Sequence, residues 1–226
     1  QMIWGNSVAI LTGDLIFSRA SLLVSELGTR PMKIQSQTFE RLVLGQLFET
    51  TGPREGQDLL DHYIAVIEGK TGSLIAAAGE YGSLLSGDSE EVISMVKAYG
   101  ELVGVAFQLA DDVIDIVSDG KTSGKTRGTD LREGVPTLPT ILLDRAVAAG
   151  DESAVTVRAL LDADLSSDEA LDAAVEALAA HPVTQEAWQI AYDWADRAIA
   201  AIAPLPESTA KAALESFAHA VVHREG

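Results

Sequence analysis

An apolar helical segment that carries three aspartates is the feature that most constrains this chain. Residues 107–115 read F-Q-L-A-D-D-V-I-D, and apolar residues continue on both sides. On a helix that turns about 100° per residue, Asp111, Asp112 and Asp115 fall within roughly 60° of Gln108. Most of the remaining circumference is apolar, which predicts a buried helix with one polar wedge. Because an unpaired buried carboxylate is very costly, this wedge must face water, bases or cations.

Two interpretations of the acidic wedge are open. In one, it is the solvent-facing strip of an ordinary amphipathic helix. In the other, it faces an internal cavity, where Asp111 and Asp115, one turn apart, present oxygens to a hard divalent cation such as Mg²⁺. The apolar surroundings, and the absence of lysines four residues away from these aspartates, favour the second interpretation.

Helix-forming residues dominate the rest of the chain. Apolar residues recur at intervals of three and four, and no run of β-branched residues alternates strictly, so we predict an all-α fold. Breaks at glycine and proline separate about nine helices without a convincing linker, which predicts a single domain over residues 1–226. Capping boxes mark two helix starts, with Asp88 and Ser166 as predicted N-caps and a glutamate three residues after each.

Composition narrows the function. The 226 residues carry a formal net charge of −18, which argues against nucleic acid as a partner because phosphate binding favours a basic surface. An anionic ligand would instead need local bases or bridging cations. No apolar run approaches the ~20 residues that span a bilayer, and the N-terminus lacks the basic region of a signal peptide. We therefore predict a cytoplasmic protein with no transmembrane segment.

A loop rich in glycine and cations follows the aspartates. Lys121, Lys125 and Arg127 alternate with glycines there. Flexible backbone and cations at the end of an acidic helix predict a phosphate-binding lid. A nucleotide P-loop is excluded, because Asp119 and Ile64 stand where the two Gly-Lys-Thr candidates would need their first glycine.

Six short motifs follow one another along nearly the whole chain. They are G-N-S-V-A-I-L-T-G-D (5–14), G-Q-L-F-E (45–49), G-K-T-G-S-L (69–74), F-Q-L-A-D-D-V-I-D (107–115) with Lys125 ten residues later, D-L-R-E-G-V-P-T-L-P (130–139) and F-A-H-A-V-V-H-R-E (217–225). In this order they resemble the motifs of trans-polyprenyl diphosphate synthases of the bacterial medium- and long-chain type. The aspartates then resemble the second aspartate-rich motif of that family.

The resemblance implies the isoprenoid synthase fold, a helical bundle around a central apolar cavity. Enzymes of this family condense isopentenyl diphosphate head-to-tail with an allylic diphosphate, whose ionisation Mg²⁺ assists. They are usually homodimers, and a long product would bring peripheral contact with a membrane. The resemblance also implies roles for the matched residues. Asp111 and Asp115 bind Mg²⁺, with Asp112 as a further ligand or a partner of the ligands, and Lys70 and Lys125 contact the allylic diphosphate. Gln108 and Thr71, with Lys70, act at the cationic carbon, Gln46 supports that region, and Phe107 borders the cavity.

Part of the family pattern does not occur in this sequence. The first aspartate-rich motif and the basic residues that hold isopentenyl diphosphate should precede Gly5, so we expect the N-terminal helices of the fold to be missing from this chain. A non-catalytic subunit of a hetero-oligomeric synthase is therefore an alternative, although the three aspartates are intact. A terpene cyclase would carry N-D-x-x-S/T-x-x-x-E, and a di-iron bundle would carry Glu-x-x-His pairs; neither pattern occurs.

Overall fold

The computed structural model describes residues 3–118 and 127–224, and within those ranges all regular structure is helical, which confirms the predicted fold class. In chain order the helices are α1 (Asn6–Ser25), α2 (Thr29–Thr51), α3 (Leu59–Ile67), α4 (Ser73–Ser86), α5 (Glu90–Val117), α6 (Thr129–Glu133), α7 (Leu138–Ala148), α8 (Glu152–Leu161), α9 (Asp168–Ala180), α10 (Pro182–Ile202) and α11 (Thr209–His223). A π-helical turn, Glu68–Gly72, joins α3 to α4.

The described residues thus form eleven α-helices, two more than the nine that the sequence pattern indicates. One extra division comes from the π-helical turn, which separates α3 from α4 without a proline or a change in hydrophobic pattern. The other is the short helix α6, which lies in a segment that its glycines and prolines mark as irregular. Helical periodicity has no signal for the π-helical turn, because that turn depends on close backbone contacts with α2 and α5.

Helix α5 lies at the centre of the bundle. It packs most extensively against α4 and α10, and also against α11, α9 and α7. Val103, Leu109 and Val113 of α5 are fully buried and belong to one hydrophobic cluster that continues into α9, α10 and α11. Burial of one such side chain stabilises a fold by about 1.5–3 kcal/mol. The apolar side chains of α5 therefore contribute a large part of the stability of the bundle.

Close backbone contacts hold the π-helical turn between α2 and α5. A Cβ atom on Gly104 of α5 would lie 2.8 Å from the Cα of Gly72, and one on Gly69 would lie 3.1 Å from the Cα of Gly45 in α2. Only glycine allows backbones to approach this closely. π-helical turns often occur at functional sites, and this one carries the Lys-Thr motif.

Both predicted capping boxes are wrong by one residue. The N-cap of α5 is Ser89, whose hydroxyl accepts a hydrogen bond from the N–H of Val92. Asp88 does not cap α5, and its own N–H donates to the carbonyl of Ser83 at the end of α4. The N-cap of α9 is likewise Ser167 instead of the residue before it. In each case two adjacent polar residues precede the helix, and only the first has a glutamate three residues later. The capping-box pattern therefore favoured the residue that the structure does not use as the cap.

By length and composition alone, two helices in the described ranges are apolar enough to cross a membrane. One is α5, which the protein core covers in part. The other is α1, in which no residue is buried. Asp14 and Arg19 interrupt α1, so its sequence contains no unbroken apolar run of the length that spans a bilayer. Large apolar side chains of α1, such as Leu11, Leu15 and Ile16, are exposed.

Candidate active site

A cavity of about 280 Å³ opens between α3, the π-helical turn, α5 and the segment that precedes α7. Apolar residues of α3 form one side of it, and polar residues of the π-helical turn and α5 form another. Four residues that the sequence predicted for the site line this cavity: Lys70, Thr71, Gln108 and Asp112. The fold therefore brings the Lys-Thr motif and the acidic helix to one place.

Gln108 and Thr71 contact each other in the cavity wall. The hydroxyl of Thr71 donates to Oε1 of Gln108 at 3.1 Å. The amide nitrogen of Gln108 lies 3.4 Å from Oδ1 of Asp112, one turn further along α5. This side-chain amide therefore has its oxygen directed at the π-helical turn and its nitrogen at the carboxylate. Its action on a cationic carbon stays a prediction.

Asp112 is buried, with 4% of the residue exposed. Its Oδ2 accepts hydrogen bonds from the hydroxyl of Tyr63 and, at 2.9 Å, from the N–H of Leu138. Burial raises the pKa of Asp112 to about 7, against the opposing effect of these hydrogen bonds. Both oxygens of Asp112 thus already have partners inside the protein. Of its two predicted roles, these contacts favour the partner of the metal ligands.

Asp111 and Asp115 lie in more open surroundings. The side chain of Asp111 is 43% exposed, and its Oδ1 lies 2.8 Å from Nη2 of Arg224. Asp115 accepts a hydrogen bond from the N–H of Asp130 at 3.3 Å. Phe107, which was predicted to border the cavity, packs against the core and lies under the guanidinium of Arg224, 3.9 Å from ring centroid to guanidinium carbon.

The residues around Asp111 fit a divalent cation that is shared with a ligand. In the described ranges, no group of three or more His, Cys, Asp or Glu side chains is placed to hold a metal ion without other ligands. Asp111 and Asp115 nevertheless offer hard carboxylate oxygens one turn apart, and a guanidinium cation already lies beside one of them. Mg²⁺ typically takes one or two protein carboxylates, with waters and phosphate oxygens completing its coordination.

Lys70 and Gln46 both contact Glu49, a residue for which the sequence predicted no role. The ammonium of Lys70 lies 2.6 Å from Oε2 of Glu49, and the amide nitrogen of Gln46 donates to the same oxygen at 2.7 Å. Glu49 lines the cavity, whereas Gln46 is exposed and reaches it through Glu49. The position of Glu49 in the quoted motif G-Q-L-F-E was the available signal.

The predicted phosphate-binding lid lies mostly outside the described residues. Lys121 and Lys125 fall there, so their contacts with a diphosphate stay a prediction. Arg127, the third cation of the loop, donates from Nε to the backbone carbonyl of Ile116. A cation in this position satisfies one of the last carbonyls of α5 and complements the helix dipole.

The helical bundle and its central acidic helix define the isoprenoid synthase fold, which solved structures share. A geranylgeranyl pyrophosphate synthase from Corynebacterium glutamicum, complexed with calcium and isoprenyl diphosphate, aligns with a TM-score of 0.86 and 41% identity over 99% of this chain and 68% of its own. A polyprenyl synthase from Caulobacter crescentus, with the same ligands, aligns with a TM-score of 0.86 and 29% identity over 100% of this chain and 68% of its own.

The chain belongs to the polyprenyl synthetase family, whose model matches residues 1–178. It is 40% identical to a nonaprenyl diphosphate synthase of Mycobacterium tuberculosis over 99% of this chain and 66% of the relative. It is 32% identical to an octaprenyl diphosphate synthase of Escherichia coli over 98% of this chain and 68% of the relative. The chain thus spans about two thirds of the length of these two relatives.

Proposed function

We propose that the protein is a prenyltransferase that condenses isopentenyl diphosphate head-to-tail with an allylic diphosphate to make a polyprenyl diphosphate. The observation that carries the proposal is the cavity lined by Lys70, Thr71 and Gln108 beside the acidic helix. The names of the nonaprenyl and octaprenyl diphosphate synthases, which match nearly the whole chain, support it. The same relatives disfavour the non-catalytic subunit, since both are named as synthases.

The main requirement of this reaction is to neutralise the negative charge on the leaving diphosphate. Mg²⁺, when bound, neutralises the negative charge that develops on the diphosphate as the allylic C–O bond ionises. Asp111 and Asp115 would hold the ion through their carboxylate oxygens. Lys70 can exchange Glu49 for a diphosphate oxygen, because its ammonium acts as a mobile point charge. Lys125 would add a second cation from the loop after α5.

The carbon skeleton changes in three electron movements. The C–O electron pair leaves with the diphosphate, the isopentenyl double bond supplies the pair for the new C–C bond, and loss of a proton restores a double bond. The amide oxygen of Gln108 and the hydroxyl oxygen of Thr71 keep lone pairs beyond their mutual hydrogen bond. Such fixed dipoles would stabilise the allylic cation.

The assignment of Mg²⁺ to this site is also a proposal. Asp111 and Asp115 offer carboxylate oxygens as ligands, and such ligands favour a hard divalent cation over a softer transition metal. The similar structures from Corynebacterium glutamicum and Caulobacter crescentus contain calcium, another hard cation with the same preference for oxygen. Turnover titrated with Mg²⁺ and with Ca²⁺ distinguishes the two ions: we expect Mg²⁺ to support turnover.

The decisive experiment is a chain-elongation assay. Protein expressed from the complete coding sequence is incubated with isopentenyl diphosphate, an allylic diphosphate primer and Mg²⁺, and the products are measured by mass spectrometry. We expect prenyl diphosphates that grow in five-carbon steps. A lack of elongation by the protein alone, with elongation restored by a second synthase subunit, would instead support the non-catalytic alternative.

We further propose that residues 1–226 form one domain that assembles as a cytoplasmic homodimer. The hydrophobic cluster that runs from α5 to α11 supports the single domain. The exposed apolar side chains of α1 support pairing with a second copy, because monomeric proteins rarely leave such surfaces uncovered. A long prenyl product would bring the protein into peripheral contact with a membrane. Sedimentation of the purified protein measures the assembly, and we expect a dimer.

A further inference from the structure

One phenol hydroxyl connects α3 to the acidic helix at the cavity. Tyr63 lines the cavity, and its hydroxyl donates to Oδ2 of Asp112. The same oxygen accepts the N–H of Leu138, at the start of α7, at 2.9 Å. Two donors from separate helices therefore hold the Asp112 carboxylate in a fixed rotamer, at a position that is 4% exposed.

The fixed carboxylate in turn orients the amide of Gln108. The other oxygen, Oδ1 of Asp112, lies 3.4 Å from the amide nitrogen of Gln108. Because Oδ1 is an acceptor, it attracts the NH₂ group of the amide and repels the carbonyl oxygen. The carbonyl oxygen is thereby directed to the hydroxyl of Thr71, 3.1 Å away. A continuous chain of hydrogen bonds runs from Tyr63 through Asp112 and Gln108 to Thr71.

We propose that Tyr63 is a positioning residue for prenyl transfer, and that it acts through Asp112 on the amide of Gln108. The inference rests on the proposed function, in which the amide oxygen of Gln108 faces the reacting carbon. Without the phenol hydroxyl, the Asp112 carboxylate keeps a single donor on Oδ2 and can rotate. The Gln108 amide then samples both orientations, and its dipole no longer opposes the developing positive charge.

The kinetic test replaces Tyr63 by phenylalanine in the protein from the complete coding sequence. We expect Tyr63→Phe to lower kcat about 10-fold or more, with KM for the allylic diphosphate changed by less than about 3-fold. Tyr99→Phe is the matched control, because Tyr99 is buried and its hydroxyl donates to the carbonyl of Leu214 at 2.7 Å, away from the cavity. This control should keep the wild-type kcat.

A double-mutant cycle separates positioning from a general structural effect. In a Gln108→Leu background the amide is absent, so Tyr63→Phe should lower kcat by less than about 2-fold further. An equal loss in both backgrounds would overturn the inference, as would an unchanged kcat in the single variant. If the wild-type protein itself lacks prenyl transfer, the proposed function fails instead, and the two failures are distinguishable.

A measurement on the folded protein needs no turnover. The two side-chain amide protons of Gln108, assigned by their loss in Gln108→Leu, should give one sharp pair of ¹⁵N-correlated signals and exchange slowly in the wild-type protein. In Tyr63→Phe they should broaden or shift, while the Tyr99→Phe spectrum keeps them. Rapidly exchanging Gln108 signals in the wild-type protein would overturn the inference even if Tyr63→Phe does not fold.

Discussion

The guanidinium of Arg224 lies against the carboxylate of Asp111, with Nη2 2.8 Å from Oδ1. The same nitrogen donates to the backbone carbonyl of Phe107 at 3.3 Å, and the guanidinium covers the ring of that residue. Its Nε is buried without a hydrogen-bond partner in the described part of the chain. The Arg224 guanidinium thus neutralises the carboxylate of Asp111, which we propose as a metal ligand. The hydrogen-bonding capacity of this guanidinium is not fully satisfied, because its Nε has no partner in the described residues.

Removal of Arg224 should strengthen metal binding. In Arg224→Gln, a divalent cation no longer competes with the guanidinium for Asp111. A half-exposed ion pair is worth up to about 1 kcal/mol, so we expect Mn²⁺ to bind up to about 5-fold more tightly in the presence of inorganic pyrophosphate. Electron paramagnetic resonance of free Mn²⁺ measures the affinity. Arg158→Gln, which breaks ion pairs with Asp144 and Asp162, is the control and should change nothing. Weaker binding in Arg224→Gln would contradict this account.

Replacement of Asp111 should remove activity without unfolding the protein. Asp111→Ala deletes a proposed metal ligand whose side chain is 43% exposed, so we expect turnover to fall below detection while the free energy of unfolding changes by less than about 1 kcal/mol. Chain elongation and urea denaturation are measured on the same preparation. Asp162→Ala removes an exposed acidic residue that does not line the cavity, and this variant should keep full activity. Undiminished turnover of Asp111→Ala would refute the site assignment.

Lys70 should contribute affinity for the diphosphate. Lys70→Ala removes the cation that lies 2.6 Å from Glu49 at the cavity edge. We expect inorganic pyrophosphate with Mg²⁺ to bind about 10-fold more weakly, since hydrogen bonds to charged groups contribute about 1.5–3 kcal/mol. Isothermal titration calorimetry gives the affinity. Lys33→Ala, on an exposed part of α2, is the comparison, and an equal loss in both variants would show that only net charge matters.

The contact between Gly104 and Gly72 should tolerate no side chain. A methyl group in Gly104→Ala would lie 2.8 Å from the Cα of Gly72, so the π-helical turn must shift. We expect a loss of about 1–3 kcal/mol in the free energy of unfolding, together with reduced activity. Gly82→Ala is the matched control, because a Cβ atom there meets no other atom within 4 Å and alanine favours the helix. Equal stabilities of the two variants would contradict the packing argument.

Charge on α1 should disrupt the proposed dimer. Leu11 and Leu15 are 66% and 70% exposed, so the double variant Leu11→Glu/Leu15→Glu should leave the fold of one copy intact. We expect sedimentation velocity to show a shift from dimer to monomer, because the glutamates would be desolvated in an interface. A double variant on α8, Val155→Glu/Leu160→Glu, should remain dimeric. A wild-type monomer, or a dimer that persists in the α1 variant, would exclude this interface.

Much of the site was predictable, because the spacing of residues along a helix determines which of their side chains share one face of it. The spacing of Gln108, Asp111, Asp112 and Asp115 predicted one polar wedge on a buried helix, and α5 is that helix. The spacing singled out Asp111 and Asp115, one turn apart, but it left two roles open for Asp112, which falls within the same wedge. The separation comes from Tyr63, which lies 49 residues away, and from the N–H of Leu138, 26 residues away.

The sequence by itself determined the helical class, the identity of the central helix and the order of the motifs, because these depend on residue type and local spacing. Tertiary structure decided which polar groups meet: Glu49 with Lys70, Arg224 with Asp111, and Tyr63 with Asp112. It also decided the position of the π-helical turn, through glycine contacts with α2 and α5. The direction of a side chain around its helix is a local property, whereas what stands in that direction depends on the helices packed against it.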